Sequence, residues 1–280
     1  LSIRRQRQMC IRDSSNILHL DHFTEYDHSP NATGQLYLRL EFENVPSLKE
    51  NLETTLQTHQ IDFKLFDNQQ HTKIALFVSK EDHAFNEILL RVNRNELPAE
   101  IVCIVSNHEN NRQFAETLHI PFYYIPSNED KAIVERKILD VCSEHQVELI
   151  VLAKYMQILS DHFVSHYPNQ IINIHHSFLP SFIGANPYKQ AWERGVKLVG
   201  ATSHYVTSDL DEGPIIDQDV IRINHRYNVQ DLRKIGRHVE SSVLAQAVEY
   251  HVLHKVFVTA SSKTIAVSYT HLRAHETRGN

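Results

Sequence analysis

Glycine is scarce in this chain of 280 residues: there are seven, and none lies between Gln35 and Ile183. A glycine-rich loop, whose backbone N–H groups close on a phosphate, has no material in that interval. Cysteine is equally sparse. Cys10, Cys103 and Cys142 are scattered, with no Cys-x-x-Cys spacing, which excludes a disulfide framework and predicts reduced thiols in a cytoplasmic protein. The net charge of −6 lacks the basic excess that nucleic acid or an anionic membrane surface would need, so neither is expected as a partner. Apolar runs fall short of the roughly 20 residues that cross a bilayer. The basic opening Arg4-Arg5-Gln6-Arg7 leads into no apolar segment, so no secretory signal is expected, and Asn31-Ala32-Thr33 is then a chance glycosylation match.

What is present organises into two parts. Residues 16–26 and 35–42 alternate apolar and polar as half-buried strands, with a turn between them. Pro46-Ser47 opens a helix carrying Leu48, Leu52 and Leu56, and a strand is expected over 61–66. Strand, strand, helix, strand is the tail of a β-α-β-β-α-β unit. From Lys73 the pattern changes. Apolar strands at 73–78, 101–106, 122–125, 149–153 and 171–174 alternate with helices at 82–93, 111–118, 129–144 and 161–166. This alternation predicts an α/β fold with a doubly wound, mostly parallel sheet. Further strands are expected over 197–204 and 215–223, and a long helix over 228–254 with Leu232, Ile235, Val239, Val243 and Leu244 on one stripe. Both ends, 1–13 and 268–280, are aperiodic and read as non-native segments.

Chemistry concentrates in two loops. Asn173-Ile174-His175-His176-Ser177-Phe178-Leu179-Pro180 ends a buried strand in a proline-stopped loop, and His204-Tyr205-Val206-Thr207-Ser208-Asp209-Leu210-Asp211-Glu212-Gly213 runs a strand into an acidic turn. Ligands of open α/β sheets bind at the carboxyl ends of strands, which would bring Asn173, His175 and Asp211 to one crevice. An amide donor, an imidazole and a carboxylate suit attack of water or an amine on a small carbonyl. Asp211 alone could equally be the acid of a glycine-containing turn, and one histidine among twenty is by itself weak. His176 and His204 are expected behind the first trio. Zinc is not expected, for want of a His-Glu-x-x-His or Cys-x-x-Cys spacing.

The two loops resemble the formyl-transfer enzymes that use 10-formyltetrahydrofolate, whose hallmarks are Asn-x-His-x-Ser-x-Leu-Pro and His-x-Val-x(4)-Asp-x-Gly. His-His-Ser-Phe-Leu-Pro and Gly184-Ala185-Asn186-Pro187-Tyr188 look like the hydrolytic branch, the formyltetrahydrofolate deformylases. The resemblance implies hydrolysis of 10-formyltetrahydrofolate to tetrahydrofolate and formate, with the folate as substrate and no other cofactor. It implies catalytic roles for Asn173, His175 and Asp211, and a pterin-binding segment at Met156, Gln157, Ile158 and Leu159. It also implies a catalytic domain over 71–267, an ACT-like module over 14–70 lacking its first strand and helix, and a homo-oligomer, possibly a tetramer. Where transferases of this superfamily hold a phosphorylated amine on a glycine-rich turn, this chain has Ser79-Lys80-Glu81-Asp82-His83, which favours water as acceptor. Two alternatives stay open: formyl transfer to an amine such as glycinamide ribonucleotide, and an amino-acid or folate sensor without catalysis.

Overall fold

The computed structural model describes residues 17–25, 35–43, 48–181, 186–259 and 261–266, so the two terminal segments read as non-native lie outside it. The chain divides into two units, Leu1–Asp67 and Asn68–Asn280. In the first, β1 (Ile17–Glu25) pairs antiparallel with β2 (Gln35–Phe42), and α1 (Leu48–Thr58) follows. The strand expected over 61–66 does not form. Among the described residues β1 and β2 pair only with each other, and residues 61–66 join none of the sheets, with the Ile61 and Phe66 side chains exposed.

The second unit is built on one seven-stranded sheet in the order β5-β4-β3-β6-β7-β8-β9. Its strands are β3 (Thr72–Val78), β4 (Ala99–Ser106), β5 (Phe122–Tyr124), β6 (Leu149–Ala153), β7 (Ile171–His175), β8 (Leu198–Tyr205) and β9 (Ile215–Arg222). β5 through β7 run parallel, while β8 and β9 are antiparallel to their neighbours. All five residues of β6 are buried, as a central strand covered on both faces requires. Alternate side chains feed two cores. Ile74, Leu76, Leu149, Val151, Ile172 and Ile174 pack with α2 (His83–Asn93) and α7 (Val229–Val252). Ala75, Phe77, Ile150, Leu152 and Ile171 pack with α4 (Lys131–Glu144) and α5 (Asp161–Ser165). α3 (Arg112–Thr117) joins β4 to β5, and α6 (Pro187–Glu193) lies between β7 and β8. After α7 a small hairpin, β10 (Val256–Val258) with β11 (Thr264–Ala266), closes the described chain.

The strand order decides where a ligand can sit. The chain lays β4 and β5 on one side of β3, then returns to place β6 on the other, so β3 and β6 flank the switch point at which an open sheet leaves a crevice. The loops leaving β3, β6 and β7 meet there.

α7 begins on a capping box: the Asn228 side chain accepts from Gln230 and Asp231 N–H, and Asp231 accepts from Asn228 N–H. A third of the way along it sits Gly236, a residue that costs a helix interior about 1 kcal/mol against alanine. A Cβ there would lie 2.0 Å from the Tyr188 hydroxyl and 2.3 Å from its ring carbon Cζ. Gly236→Ala is therefore expected to lower stability despite the better helix propensity. The net loss should be on the order of 1–3 kcal/mol, the usual size of an overpacked core, read from denaturant unfolding.

Candidate active site

β7 delivers the first two polar groups. Asn173 and His175 are two residues apart on one strand and so share a face, while Ile172 and Ile174 at the alternate positions enter the opposite core. Antiparallel pairing places His204 of β8 directly across from Asn173, and Thr202 across from His175. Asp211 arrives on the turn after β8. Its backbone has φ 58°, a left-handed conformation that suits Asp, Asn or Gly. Two residues on, Gly213 is required by contact: a Cβ would lie 1.8 Å from the Tyr205 carbonyl oxygen. The Asp-x-Gly spacing thus folds the turn back against the end of β8.

The three sequence-predicted groups come together. His175 Nδ1 lies 3.2 Å from Asp211 Oδ2, and His204 Nε2 lies 3.6 Å from Asp211 Oδ1. Hydrogen bonds from His175, and then from His204, hold the Asp211 carboxyl well below the usual carboxylate range. His204 Nδ1 faces the Tyr205 carbonyl oxygen at 2.9 Å, which can only accept, so Nδ1 carries the proton. Nε2 lies 3.6 Å from Asp211 Oδ1, to which it donates when it carries a proton, and 3.3 Å from Asn173 Nδ2, from which it accepts when it does not. At most one Asn173 N–H is spent on His204, and among the described residues the second meets no acceptor and can serve a ligand oxygen. His175 Nε2 is buried and, among the described residues, meets no hydrogen-bonding group. With Nδ1–H turned to Asp211, that nitrogen can take a proton and return it.

The loop that follows His175 is pinned by a residue that sequence reading passed over. The Thr202 hydroxyl donates to the Ser177 carbonyl at 2.9 Å and accepts from Leu179 N–H at 3.0 Å and Gln218 Nε2 at 2.8 Å. One donor and two acceptor sites exhaust a hydroxyl. Gln218 also reaches the Leu179 carbonyl. The Leu179–Pro180 peptide is cis. The polar run Thr202-Ser203-His204 after the apolar start of this strand was the available signal.

The predicted pterin segment leaves β6 at the switch point. Met156 and Ile158 are 61% and 63% exposed, so they are not core residues; Gln157 is half-buried and bonds the Met156 carbonyl, and Leu159 packs partly on the α4 core. The far end of the segment is tied down. Buried Glu135 of α4 accepts from Ser160 N–H at 2.7 Å and from the Ser160 hydroxyl. At the near end Met156 N–H donates to Ser79, which bonds Asn107. This leaves an anchored ledge with open apolar side chains, a surface that suits a flat amphipathic ring.

A second cluster lies beside the first. Glu240 of α7 is 1% exposed, with Oε2 2.9 Å from His83 Nε2 and 3.1 Å from Lys154 Nζ, and Oε1 2.5 Å from the Tyr188 hydroxyl. Burial pushes its pKa up, but His83, Lys154 and Tyr188 together bring it down to about 2. Glu81, His83 and Glu240 are close enough to share a metal, yet the Lys154 ammonium already sits on the Glu240 carboxylate, so the donor set does not fit one. His176 touches both clusters. Burial, and then the Lys154 charge, push its pKa down to about 4. Sequence reading missed this cluster. A lysine closing an all-apolar strand and a glutamate on the apolar stripe of α7 were its traces. Cys103 and Cys142 are buried and pushed up to about 12, which removes them as nucleophiles.

Comparison with known proteins gives a consistent set of similarities. Residues 72–248 match the family described as Formyl transferase. The curated formyltetrahydrofolate deformylase of Bacillus subtilis (strain 168) is 48% identical over 248 residues, which cover 86% of this chain and 82% of that protein. The crystal structure of a formyltetrahydrofolate deformylase from Pseudomonas syringae pv. tomato str. DC3000 superposes with a TM-score of 0.85 at 35% identity, covering 95% of this chain and 90% of that one. A phosphoribosylglycinamide formyltransferase from Anaplasma phagocytophilum shares the fold more partially, with a TM-score of 0.65 at 27% identity over 71% of this chain and 96% of its own.

Proposed function

This chain belongs to the formyl transferase family and, within it, to the formyltetrahydrofolate deformylases, and from that premise we propose how its residues carry the reaction. The activity is hydrolysis of 10-formyltetrahydrofolate to tetrahydrofolate and formate. The observation that carries the residue assignment is the state of His175: one ring nitrogen bonded to Asp211, the other buried and, among the described residues, unpartnered.

A water placed against His175 Nε2 loses a proton to it while its oxygen bonds to the formyl carbon. The Asp211 carboxylate is turned to His175 and His204, so Asp211 holds the His175 tautomer and stabilises the imidazolium that forms. The formyl oxygen takes up negative charge and receives the second Asn173 N–H. His175 then returns its proton to N10, the carbon–nitrogen bond breaks, and tetrahydrofolate and formate leave. No cofactor beyond the folate enters these steps. The ledge from Met156 through Gln157 and Ile158 to Leu159 would carry the pterin ring.

The test is formate release from 10-formyltetrahydrofolate by the purified chain, with and without glycinamide ribonucleotide. Formate is expected without the nucleotide and at an unchanged rate with it. Turnover that requires the nucleotide would move the chain to the transferase branch; folate binding without any turnover would favour the sensor reading. We further propose that the hairpin and α1 belong to an accessory α+β module of the ACT-like kind, through which the chain forms homo-oligomers. Among the described residues no helix is long and apolar enough to cross a membrane.

A further inference from the structure

Hydrolysis on a fold that also serves formyltransferases needs something to decide between water and an amine. A cavity of about 490 Å³ opens at the carboxyl ends of β3 and β6. Its lining includes Met156 from the folate ledge and His176, whose ring lies 5.4 Å from that of His175. It is therefore next to the reacting centre and large enough for a nucleophile other than water. The exposed side chains at its mouth, Lys80, Arg233 and Arg237, would tolerate an anionic group. Its floor is different. There the buried Glu240 carboxylate, the natural seat for an incoming ammonium, is already taken by Lys154, which is 8% exposed.

Two observations mark Lys154 as placed rather than incidental. Its backbone has φ 65°, a left-handed conformation that glycine, asparagine and aspartate adopt more readily than lysine. Its ammonium reaches two carboxylates, Glu240 at 3.1 Å and Glu81 at 4.0 Å. A cation tethered to the chain competes for Glu240 at an effective concentration that a free amine does not reach.

We propose that Lys154 selects the acceptor: its ammonium fills the seat a substrate amine would need beside the formyl carbon, so that water alone reaches that carbon. The inference rests on the hydrolytic reading above. With the seat emptied, an amine held there would give its extra ammonium proton to solvent and attack the formyl carbon with the lone pair so freed; the bond to N10 would break, and a second amine proton would pass through His175 to N10. The products are the N-formyl amine and tetrahydrofolate, with amine in place of water and no change of oxidation state.

Wild type, Lys154→Gly and Lys154→Met are each given 10-formyltetrahydrofolate with and without glycinamide, and formate and N-formylglycinamide are measured by mass spectrometry. The glycine variant relieves the left-handed backbone, the methionine variant keeps the bulk, and near-UV circular dichroism reports their folding. Wild type is expected to give formate alone, at a rate indifferent to glycinamide. In both variants the ratio of N-formylglycinamide to formate should rise about tenfold or more, the size of a discriminating pocket contact. An unchanged ratio in either folded variant would overturn the proposal, as would formylation of glycinamide by wild type. Loss of all turnover in both folded variants with folate still bound would also overturn it, by moving Lys154 into the hydrolytic machinery. The wild-type arm without amine reads hydrolysis separately: silence there would sink the assigned activity and this inference with it.

Discussion

Asp211→Asn is expected to lower kcat for formate release by about 10²–10⁴ while leaving the fold intact, the range seen when a histidine loses its orienting carboxylate. The substitution is nearly isosteric, and asparagine tolerates the left-handed φ of 58° at this turn. What changes is the hydrogen-bond polarity. The carboxylate accepts from His175 Nδ1, whereas an amide N–H turned to the same atom would force Nδ1 to accept and put the proton on Nε2. The nitrogen that should take the proton of water would then already hold one. Steady-state kinetics with a circular dichroism control separates this from unfolding, and kcat within about threefold of wild type would remove Asp211 from the mechanism. The same variant carries a pH signature. Asp211 is depressed in the folded chain by His175 and His204, so its contribution to stability is fully present above the ordinary carboxylate pKa near 3.9 and is lost as pH falls through the lower folded value. Wild type should therefore exceed the variant in stability at neutral pH, with the difference narrowing below about pH 4.

His175→Ala should cost on the order of 10² or more in kcat, and Asn173→Ala a comparable amount, the usual sizes for a general acid–base and an oxyanion donor. The two losses have different signatures. Removing His175 abolishes the limb of the pH–rate profile that reports the base. Removing Asn173 leaves that limb in place and lowers its height, because the amide acts on charge that exists only in the transition state. The double variant should lose less than the product of the single losses, since the groups serve one step. Near-full turnover by Asn173→Ala would show that another donor meets the formyl oxygen.

The trio was legible in the sequence because loops at strand ends concentrate chemistry into short spacings: Asn173 and His175 are two residues apart, and Asp211 precedes Gly213 by two. The buried strands were legible because all-apolar runs have few other uses; the expected 149–153 strand is β6 to the residue. The Glu240 cluster was not, because its members come from loops and helices that only the folded sheet brings together. Short α6, started by Asn186 and Pro187, and the β10–β11 hairpin carry too few residues for a period to show. The expected 61–66 strand failed for the reverse reason: its residue types suit a strand, but pairing depends on a neighbour that residue types do not supply.

The ladder between β7 and β8 also sets where this chain can change length. Asn173 faces His204 and His175 faces Thr202 because those pairs are in register, and side chains alternate faces with each residue. One residue inserted into either strand would carry His204 or His175 through the sheet to the opposite core. The exposed turn over residues 194–197 that follows α6 bears no such constraint, whereas α6 itself carries Tyr188 to Glu240. Deletions and insertions among relatives of this chain should collect there, with none inside the two strands that frame it.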